Sequence, residues 1–292
     1  FANKMDYFGK KALDFGSIDI YAKRLYLLND KDGLEDLKKC VSVYFDLWES
    51  NFLDCSKIEN KGRRKYRPID KRYFSLLSVL LQSDEEAPQF HSNVSFITWN
   101  YDLQLEKAYE TFLKEKANTL YELNKKVNRD HRKVIHLNGY RGVFRNNEEE
   151  FEIVEKSRFS SSEIYLKEIL RNRDKLDSKN HSFQNSIRYA WELESESLNQ
   201  AKAIMKDTNI LVIIGYSFPA FNRAIDQALI KEFESGSDNK RVVYQDPNAN
   251  EDIVNSLFSN PKKNVLLEKL NTDQFYIPHE FLSPSKGDRF VI

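Results

Sequence analysis

Hydrophobic and polar positions divide the chain into a helical first third and an alternating remainder. Apolar side chains recur at three- and four-residue spacing over 34–48 and 74–81, which predicts amphipathic helices that bury one face. After residue 93, short apolar runs alternate with helical stretches. We therefore predict a helical N-terminal part over 1–90, followed by strands and helices in alternation.

Five apolar runs after residue 93 are predicted to be strands. They cover residues 94–98, 134–137, 210–214, 242–245 and 265–267. Most are too uniformly apolar for a half-exposed strand, as is typical of parallel strands that helices cover on both faces. Parallel strands need crossover connections, and helical stretches separate most of the runs. The predicted fold class is therefore α/β, with a Rossmann-like, doubly wound, mostly parallel sheet.

A long polar and helical stretch over about 155–207 exceeds the length of a simple crossover. Its apolar stripe consists of Phe183, Ile187, Ala190, Trp191, Leu198, Ala201 and Met205. We predict that it forms an inserted helical layer that covers the ligand crevice. A chain of 292 residues is within the usual size of one α/β domain. We therefore expect a single domain over 1–292.

Polar residues stand at the ends of two predicted strands. Asn100 and Asp102 follow the run 94–98, whereas Gly215 and Ser217 follow the run 210–214. In open α/β sheets, ligands bind outside the carboxyl ends of the strands. Two polar strand ends of this kind indicate a nucleotide crevice.

Composition narrows the possible partners. The 45 basic and 45 acidic residues cancel, so we expect no direct nucleic-acid binding. No run of roughly 18 apolar residues occurs, and we expect no membrane span. Cys40 and Cys55 lack a paired metal-ligand spacing and fit a reducing compartment. We expect a cytoplasmic protein that uses no metal.

The order of three short motifs carries a family resemblance. Residues 98–102 read Thr-Trp-Asn-Tyr-Asp, residues 136–139 read His-Leu-Asn-Gly, and residues 215–218 read Gly-Tyr-Ser-Phe. Together with the strand 242–245, they resemble the bacterial sirtuin-like domain of phage-defence proteins, over about residues 94–250. The resemblance implies an anti-phage defence effector that takes NAD as its substrate and releases nicotinamide. It also implies work as a homo-oligomer or with a partner protein from a defence operon.

The resemblance also implies roles for individual residues. Asn100 matches the asparagine that orients the attacking water, and Asp102 is its companion in the same pocket. Gly215 and Ser217 match the turn that approaches the adenosine side of NAD. The other residues expected to contact the nucleotide are Thr98, Tyr101, Gly139, Tyr216, Gln245 and Asp246, the last two near an adenosine-ribose hydroxyl.

The chain departs from the family at the catalytic histidine, whose position holds Asn138. His136 lies two residues earlier on the same face of a strand, about 6–7 Å away. An asparagine can hydrogen-bond a ribose hydroxyl but cannot accept its proton, and a lost general base typically costs about 10²–10⁴-fold in rate. Three functions therefore stay open: an NAD hydrolase in which His136 and Asn138 contact the ribose, a catalytically silent module that binds NAD or ADP-ribose-type nucleotides, and a purely structural interaction module.

Several candidate residues also have a structural interpretation. Asp102 and Ser217 are good helix-capping residues, and His136 fits a hydrogen-bonded core histidine. Asn222 and Asp226 lie four residues apart, and we interpret them as a solvated helix face.

One expected element is missing from the sequence. Nucleotide-binding α/β folds normally open with a strand and a glycine-rich turn whose backbone amides meet the phosphates. No Gly-x-Gly occurs anywhere in the chain. We therefore expect an apolar run with such a turn before Phe1 or near the start, paired against the central strands.

Overall fold

The computed structural model describes residues 2–49, 69–115, 117, 120–129, 133–145, 183–192, 196–236, 240–248, 250–258, 265–270, 272–282 and 290–292. Their helices are α1 (Ala2–Phe15), α2 (Ile18–Leu27), α3 (Lys31–Glu49), α4 (Lys71–Leu80), α5 (Gln104–Glu110), α6 (Leu120–Val127), α7 (Glu196–Asp207), α8 (Arg223–Ser235) and α9 (Glu251–Leu257). Their strands are β1 (Leu81–Gln82), β2 (Gln89–Phe90), β3 (Val94–Thr98), β4 (Val134–His136), β5 (Val143–Arg145), β6 (Phe183–Asn185), β7 (Ile210–Ile214), β8 (Lys240–Gln245), β9 (Val265–Leu270) and β10 (Phe290–Val291). None of the helices in these ranges combines the length and apolar character needed to span a bilayer.

Six strands form one parallel sheet in the order β4-β3-β10-β7-β8-β9. All five predicted runs are strands of this sheet, which confirms the α/β class and the parallel pairing. The sixth strand, β10, was not predicted. The remaining four strands form two small antiparallel pairs, β1 with β2 and β5 with β6.

The sheet is buried on both faces because its strands are apolar at successive positions. In β7, Ile210 and Val212 join a cluster that contains residues of α4, α5 and α6. Leu211 and Ile213 point to the opposite face, into a cluster with α7, α8 and α9. Successive side chains of a strand face opposite sides. An uninterrupted apolar run therefore needs helices on both sides of the sheet.

Helices α1 to α3 form a third hydrophobic cluster. Tyr21, Leu25 and Leu37 are buried there against Ile187 and Tyr189. The Ser42 hydroxyl of α3 ties the cluster to the sheet region, because it donates to the Gly142 carbonyl at 2.7 Å and accepts from the Gly142 amide at 2.7 Å. The predicted helical part over 1–90 is thus helical in α1 to α4 and ends in the short pair β1 and β2, while residues 50–68 lie outside the described residues.

The predicted helical layer over 155–207 is only partly present. Residues 155–182 lie outside the described residues, and α7 is helical as predicted. Residues 183–192 are not helical: they begin with β6 and continue as extended chain and a turn. The prediction was wrong there because Ile187 and Tyr189 are buried while Arg188 between them is exposed, which is the two-residue period of extended chain.

The short strand β10 lies at the centre of the sheet, between β3 and β7. It pairs with residues 94–95 of β3 and with 210–211 of β7. Ile292 extends the ladder, since its amide donates to Ser95 O at 3.0 Å and its carbonyl accepts from Ile97 N at 3.2 Å. Both neighbours continue for further residues toward their carboxyl ends, β3 to Thr98 and β7 to Ile214. Residues 290–291 thus occupy the place between β3 and β7.

Candidate functional site

A cavity of about 220 Å³ lies near the ends of β3 and β7. The order of strands reverses there, because the chain proceeds from β3 outward to β4 and later from β7 outward to β8 and β9. Such a switch point is the usual ligand site of an open α/β sheet. Six of the predicted site residues line the cavity: Thr98, Asn100, Asp102, His136, Gly215 and Tyr216.

The β3 side of the cavity contains a buried histidine–carboxylate pair. His136 Nε2 lies 2.6 Å from Glu106 Oε1, and His136 Nδ1 lies 3.1 Å from the Asn100 carbonyl oxygen. His136 is 8% exposed and Glu106 is 2% exposed. Both ring nitrogens face acceptors, so the geometry fits an imidazolium beside a carboxylate, or a neutral imidazole that accepts a proton from Glu106.

Opposing effects act on the pKa of His136. Burial lowers the pKa of the imidazole, whereas the charge and hydrogen bond of Glu106, with help from the Asn100 carbonyl, raise it, and the net pKa is raised. The histidine is therefore held in place at both nitrogens. Its contact with the carbonyl of Asn100 fixes the backbone at the point where β3 ends.

Glu106 is a site residue that sequence reasoning missed. It follows Asp102 by four residues and lies in the first turn of α5. The signal available in the sequence was a carboxylate within the amphipathic helix that directly follows a polar strand end. Its burial was not foreseeable from that spacing.

Asp102 and Asn100 occupy different positions at the end of β3. Asp102 Oδ1 accepts the backbone amide of Gln104 at 3.2 Å, so it satisfies one amide of the first turn of α5 while also lining the cavity. The residue that directly precedes α5, Leu103, makes no side-chain cap. Asn100 is exposed at the cavity, and its backbone amide donates to Thr98 Oγ1 at 3.0 Å.

The β7 side begins with a glycine in a left-handed conformation. Gly215 has φ +62°, and a Cβ built on it would meet no atom within 4 Å. The strand therefore ends with open space beside its backbone. Ser217 is exposed. Neither the 3₁₀ turn Ala220–Asn222 nor α8 has a side-chain N-cap, so the capping alternative for Ser217 is not observed.

A second buried carboxylate, Asp226, lies on the β7 side. The Tyr216 hydroxyl donates to Asp226, with 2.9 Å to Oδ1 and 3.1 Å to Oδ2, and it accepts from Asn222 Nδ2 at 3.1 Å. Asp226 and Asn222 are 3% and 4% exposed. Their interpretation as a solvated helix face was wrong, because this face of α8 turns toward the strand ends and packs against Tyr216.

Burial is the main cause of the raised pKa values on this side. It raises the pKa of Asp226 to about 7, against smaller lowering effects from the Tyr216 hydrogen bond and from Arg223. It also raises the pKa of Tyr216 far above its usual range, and the charge of Asp226 adds to this. Tyr216 in turn stacks on Trp99, with ring centroids 5.9 Å apart and an interplanar angle of 15°. This contact connects the β3 side and the β7 side, which form the two walls of the cavity.

Three predicted residues near β3 and β4 lie outside this cavity. Asn138 is 7% exposed, and its Nδ2 donates to Trp99 O at 3.4 Å. Gly139 has φ +69° and packs so closely that an added Cβ would lie 1.8 Å from Ser186 O. Tyr101 packs on Phe45 of α3, with ring centroids 5.4 Å apart. These residues connect the strand ends to neighbouring segments.

Gln245 and Asp246 at the end of β8 also lie outside the cavity. Gln245 Nε2 donates to Thr272 Oγ1 at 2.8 Å, and its Oε1 accepts from Tyr276 N at 2.9 Å. Asp246 Oδ1 accepts the backbone amide of Asn248 at 2.6 Å. Both side chains are thus engaged in holding loops after the sheet.

Within the described ranges, no group of three or more His, Cys, Asp or Glu side chains is arranged to hold a metal ion. Comparisons with protein-family models, with curated proteins and with solved structures give no match. The function of the site therefore has to be inferred from its own residues.

Proposed function

We propose that this chain is a Rossmann-like, sirtuin-like domain that binds NAD at the ends of β3 and β7 and hydrolyses the bond between nicotinamide and ribose. The observation that carries the proposal is the convergence of six predicted residues on one cavity. They come from three strand ends that are far apart in the sequence. Their meeting at a switch point of a parallel sheet supports a nucleotide site.

The size of the cavity favours partial enclosure of the dinucleotide. Sites that enclose whole drug-sized ligands typically measure about 300–1,000 Å³, which exceeds the 220 Å³ found here. The nicotinamide and its ribose would enter the cavity, and the remainder would lie along the open edge. The empty space beside Gly215 would let the ligand approach the backbone closely.

The polar groups of the β3 wall would promote cleavage because they are already held in place before the reaction. Cleavage passes through an oxocarbenium-like ribose, and preorganised dipoles and charges can supply much of the acceleration. Asn100 would orient the attacking water from the cavity mouth, and the Asp102 carboxylate would lie near the developing positive charge. His136 would serve as a positioning residue, because it holds the Asn100 carbonyl.

A second function is favoured by one specific observation. Asn138 is buried against Trp99 O, and both nitrogens of His136 are occupied, so neither family-related position offers a free imidazole. A catalytically silent module would bind NAD or an ADP-ribose-type nucleotide and act through assembly with itself or with a defence partner. The family resemblance supports a defence role and a cytoplasmic location for either function.

Incubation with NAD and chromatographic measurement of nicotinamide tests the first function. We expect release by the wild-type chain and a rate about 100-fold lower in Asn100→Ala, because the water loses its orienting amide. Asn199→Ala is the matched control, since Asn199 is exposed on α7. Equal rates in wild type and Asn100→Ala would remove Asn100 from the mechanism.

Calorimetry with NAD separates the two functions. Binding without nicotinamide release supports the silent module, and gain of hydrolysis in Asn138→His would then show that a base had been missing. Absence of both binding and release would overturn both functions and favour an interaction module.

A further inference from the structure

Asp226 is a buried carboxylate of the cavity to which the proposed reaction assigns no role. It is 3% exposed and lines the cavity from α8. Within the described residues, its hydrogen bonds come from the Tyr216 hydroxyl. The nearby cation, Arg223, instead donates to Phe218 O at 3.3 Å and Ser256 Oγ at 3.4 Å.

The other two carboxylates of the cavity are engaged differently. Glu106 is paired with His136, and Asp102 accepts the amide of Gln104. Asp226 differs from Glu106 because its hydrogen-bond donor within the described residues is a neutral hydroxyl, and it differs from the half-buried Asp102 in being fully buried. A carboxylate without a cation is costly to bury, and such a group in a cleft is a candidate for proton transfer.

We propose that Asp226 is the proton acceptor of this site, an inference that rests on the proposed NAD hydrolysis for its reaction. As the bond from ribose C1′ to the nicotinamide nitrogen breaks, its electron pair leaves with nicotinamide. The oxygen of water forms the new bond to C1′, and one water proton passes to the Asp226 carboxylate. Asp226 then returns that proton to solvent, and the products are nicotinamide and ADP-ribose.

The surroundings of Asp226 fit this task. Burial raises its pKa to about 7, near the value at which a general base works best at neutral pH. The groups that act on its pKa are the Tyr216 hydroxyl and Arg223 on its own helix, while Tyr73, Asp102 and the pair of Glu106 with His136 are the other titratable groups that line the same cavity within the described residues. Tyr216 orients the carboxylate and is itself held by its stacking on Trp99.

The pH dependence of nicotinamide release by the full chain tests the inference. We expect the wild-type rate to rise with pH with a midpoint near 7, as the Asp226 carboxylate ionises. Asp226→Asn should abolish this rise and lower the rate at high pH by about 10²–10⁴-fold. The matched control is Asp252→Asn, because Asp252 is exposed on α9, and we expect it to keep the wild-type profile.

Tyr216→Phe provides a second variant that keeps the carboxylate. The hydrogen bond from Tyr216 lowers the pKa of Asp226, so its loss should move the midpoint to higher pH. Carboxyl-carbon NMR of the same proteins should give an Asp226 midpoint that matches the kinetic one and moves with it. A residue that only packs would not produce this paired shift.

The outcomes distinguish the inference from the proposed function. No nicotinamide release at any pH would overturn both. Release that is unchanged in Asp226→Asn, or an Asp226 midpoint near 4 by NMR, would overturn the role of Asp226 alone and leave NAD hydrolysis standing.

Discussion

The two walls of the cavity each bury one carboxylate, and the partner of each sets its chemistry. On the β3 wall, Glu106 meets the imidazole of His136, whose pKa is raised. On the β7 wall, Asp226 meets the neutral hydroxyl of Tyr216, and burial raises its pKa to about 7. A cation beside a buried carboxylate favours a stable ion pair, whereas a neutral donor leaves the carboxylate able to take up a proton near neutral pH.

The same local arrangement produces both walls. Each carboxylate lies in the first turn of the helix that follows a strand end, Glu106 in α5 and Asp226 in α8. The partial positive charge at a helix N-terminus favours an acidic side chain there. The walls differ because β4 brings His136 to the first, while the turn after β7 brings Tyr216 to the second.

The largest expected effect comes from breaking the histidine–carboxylate pair of the β3 wall. Glu106→Gln removes the carboxylate and leaves His136 buried without its partner, which should lower the free energy of unfolding by about 3–5 kcal/mol. Urea denaturation measures the loss. The exposed residue Glu85 gives the control Glu85→Gln, for which we expect little change.

The pH dependence of the same pair sharpens this test. The folded-state pKa of His136 is raised. Its contribution to stability is therefore complete at pH values below its unfolded-state pKa and is lost as the pH rises through its folded-state pKa. Glu106→Gln should lower the pKa of His136 in NMR titrations and remove this dependence. A histidine that titrates identically in both proteins would contradict the ion pair.

A pair of glycine substitutions tests whether the β4 side is packed and the β7 side open. Gly139→Ala combines a positive φ with a close approach to Ser186 O, and we expect a loss of about 3 kcal/mol. Gly215→Ala has the positive φ but open space, so the loss should be about 1 kcal/mol. Thermal unfolding compares them directly. Similar losses would mean that the two sides do not differ in packing.

A pH-dependent effect is expected from the β7 wall. The folded-state pKa of Asp226 is about 7 and its unfolded value is about 4. The folded state therefore keeps the proton up to a higher pH than the unfolded state does, and wild-type stability falls as pH rises from about 4 to about 7. Asp226→Asn lacks this fall and should gain about 4 kcal/mol relative to wild type between pH 4 and 8, since the two pKa values differ by about three units. Urea denaturation at several pH values measures it, and a constant difference would contradict the raised pKa.

The strand ends were the sequence signal for the residues that line the cavity. Asn100, Asp102 and Gly215 were found because each lies within four residues of the end of a mostly apolar run, which is a local signal. Gln245 followed such a run as well, yet its amide holds the loop at 272–276. A polar strand end therefore predicts the edge of the sheet but does not decide whether a side chain faces a ligand or a neighbouring loop.

The alternation of apolar runs with helices determined by itself that this protein has a parallel sheet with helices on both faces. Those features depend on side chains close together in sequence, whose period fixes which faces must be buried. Only the tertiary structure decided that residues 290–291 form the central strand, because two residues carry no measurable period. It also decided that Glu106 meets His136 and Asp226 meets Tyr216. Such contacts join different elements, and the environment that sets each charge exists only after those elements have packed.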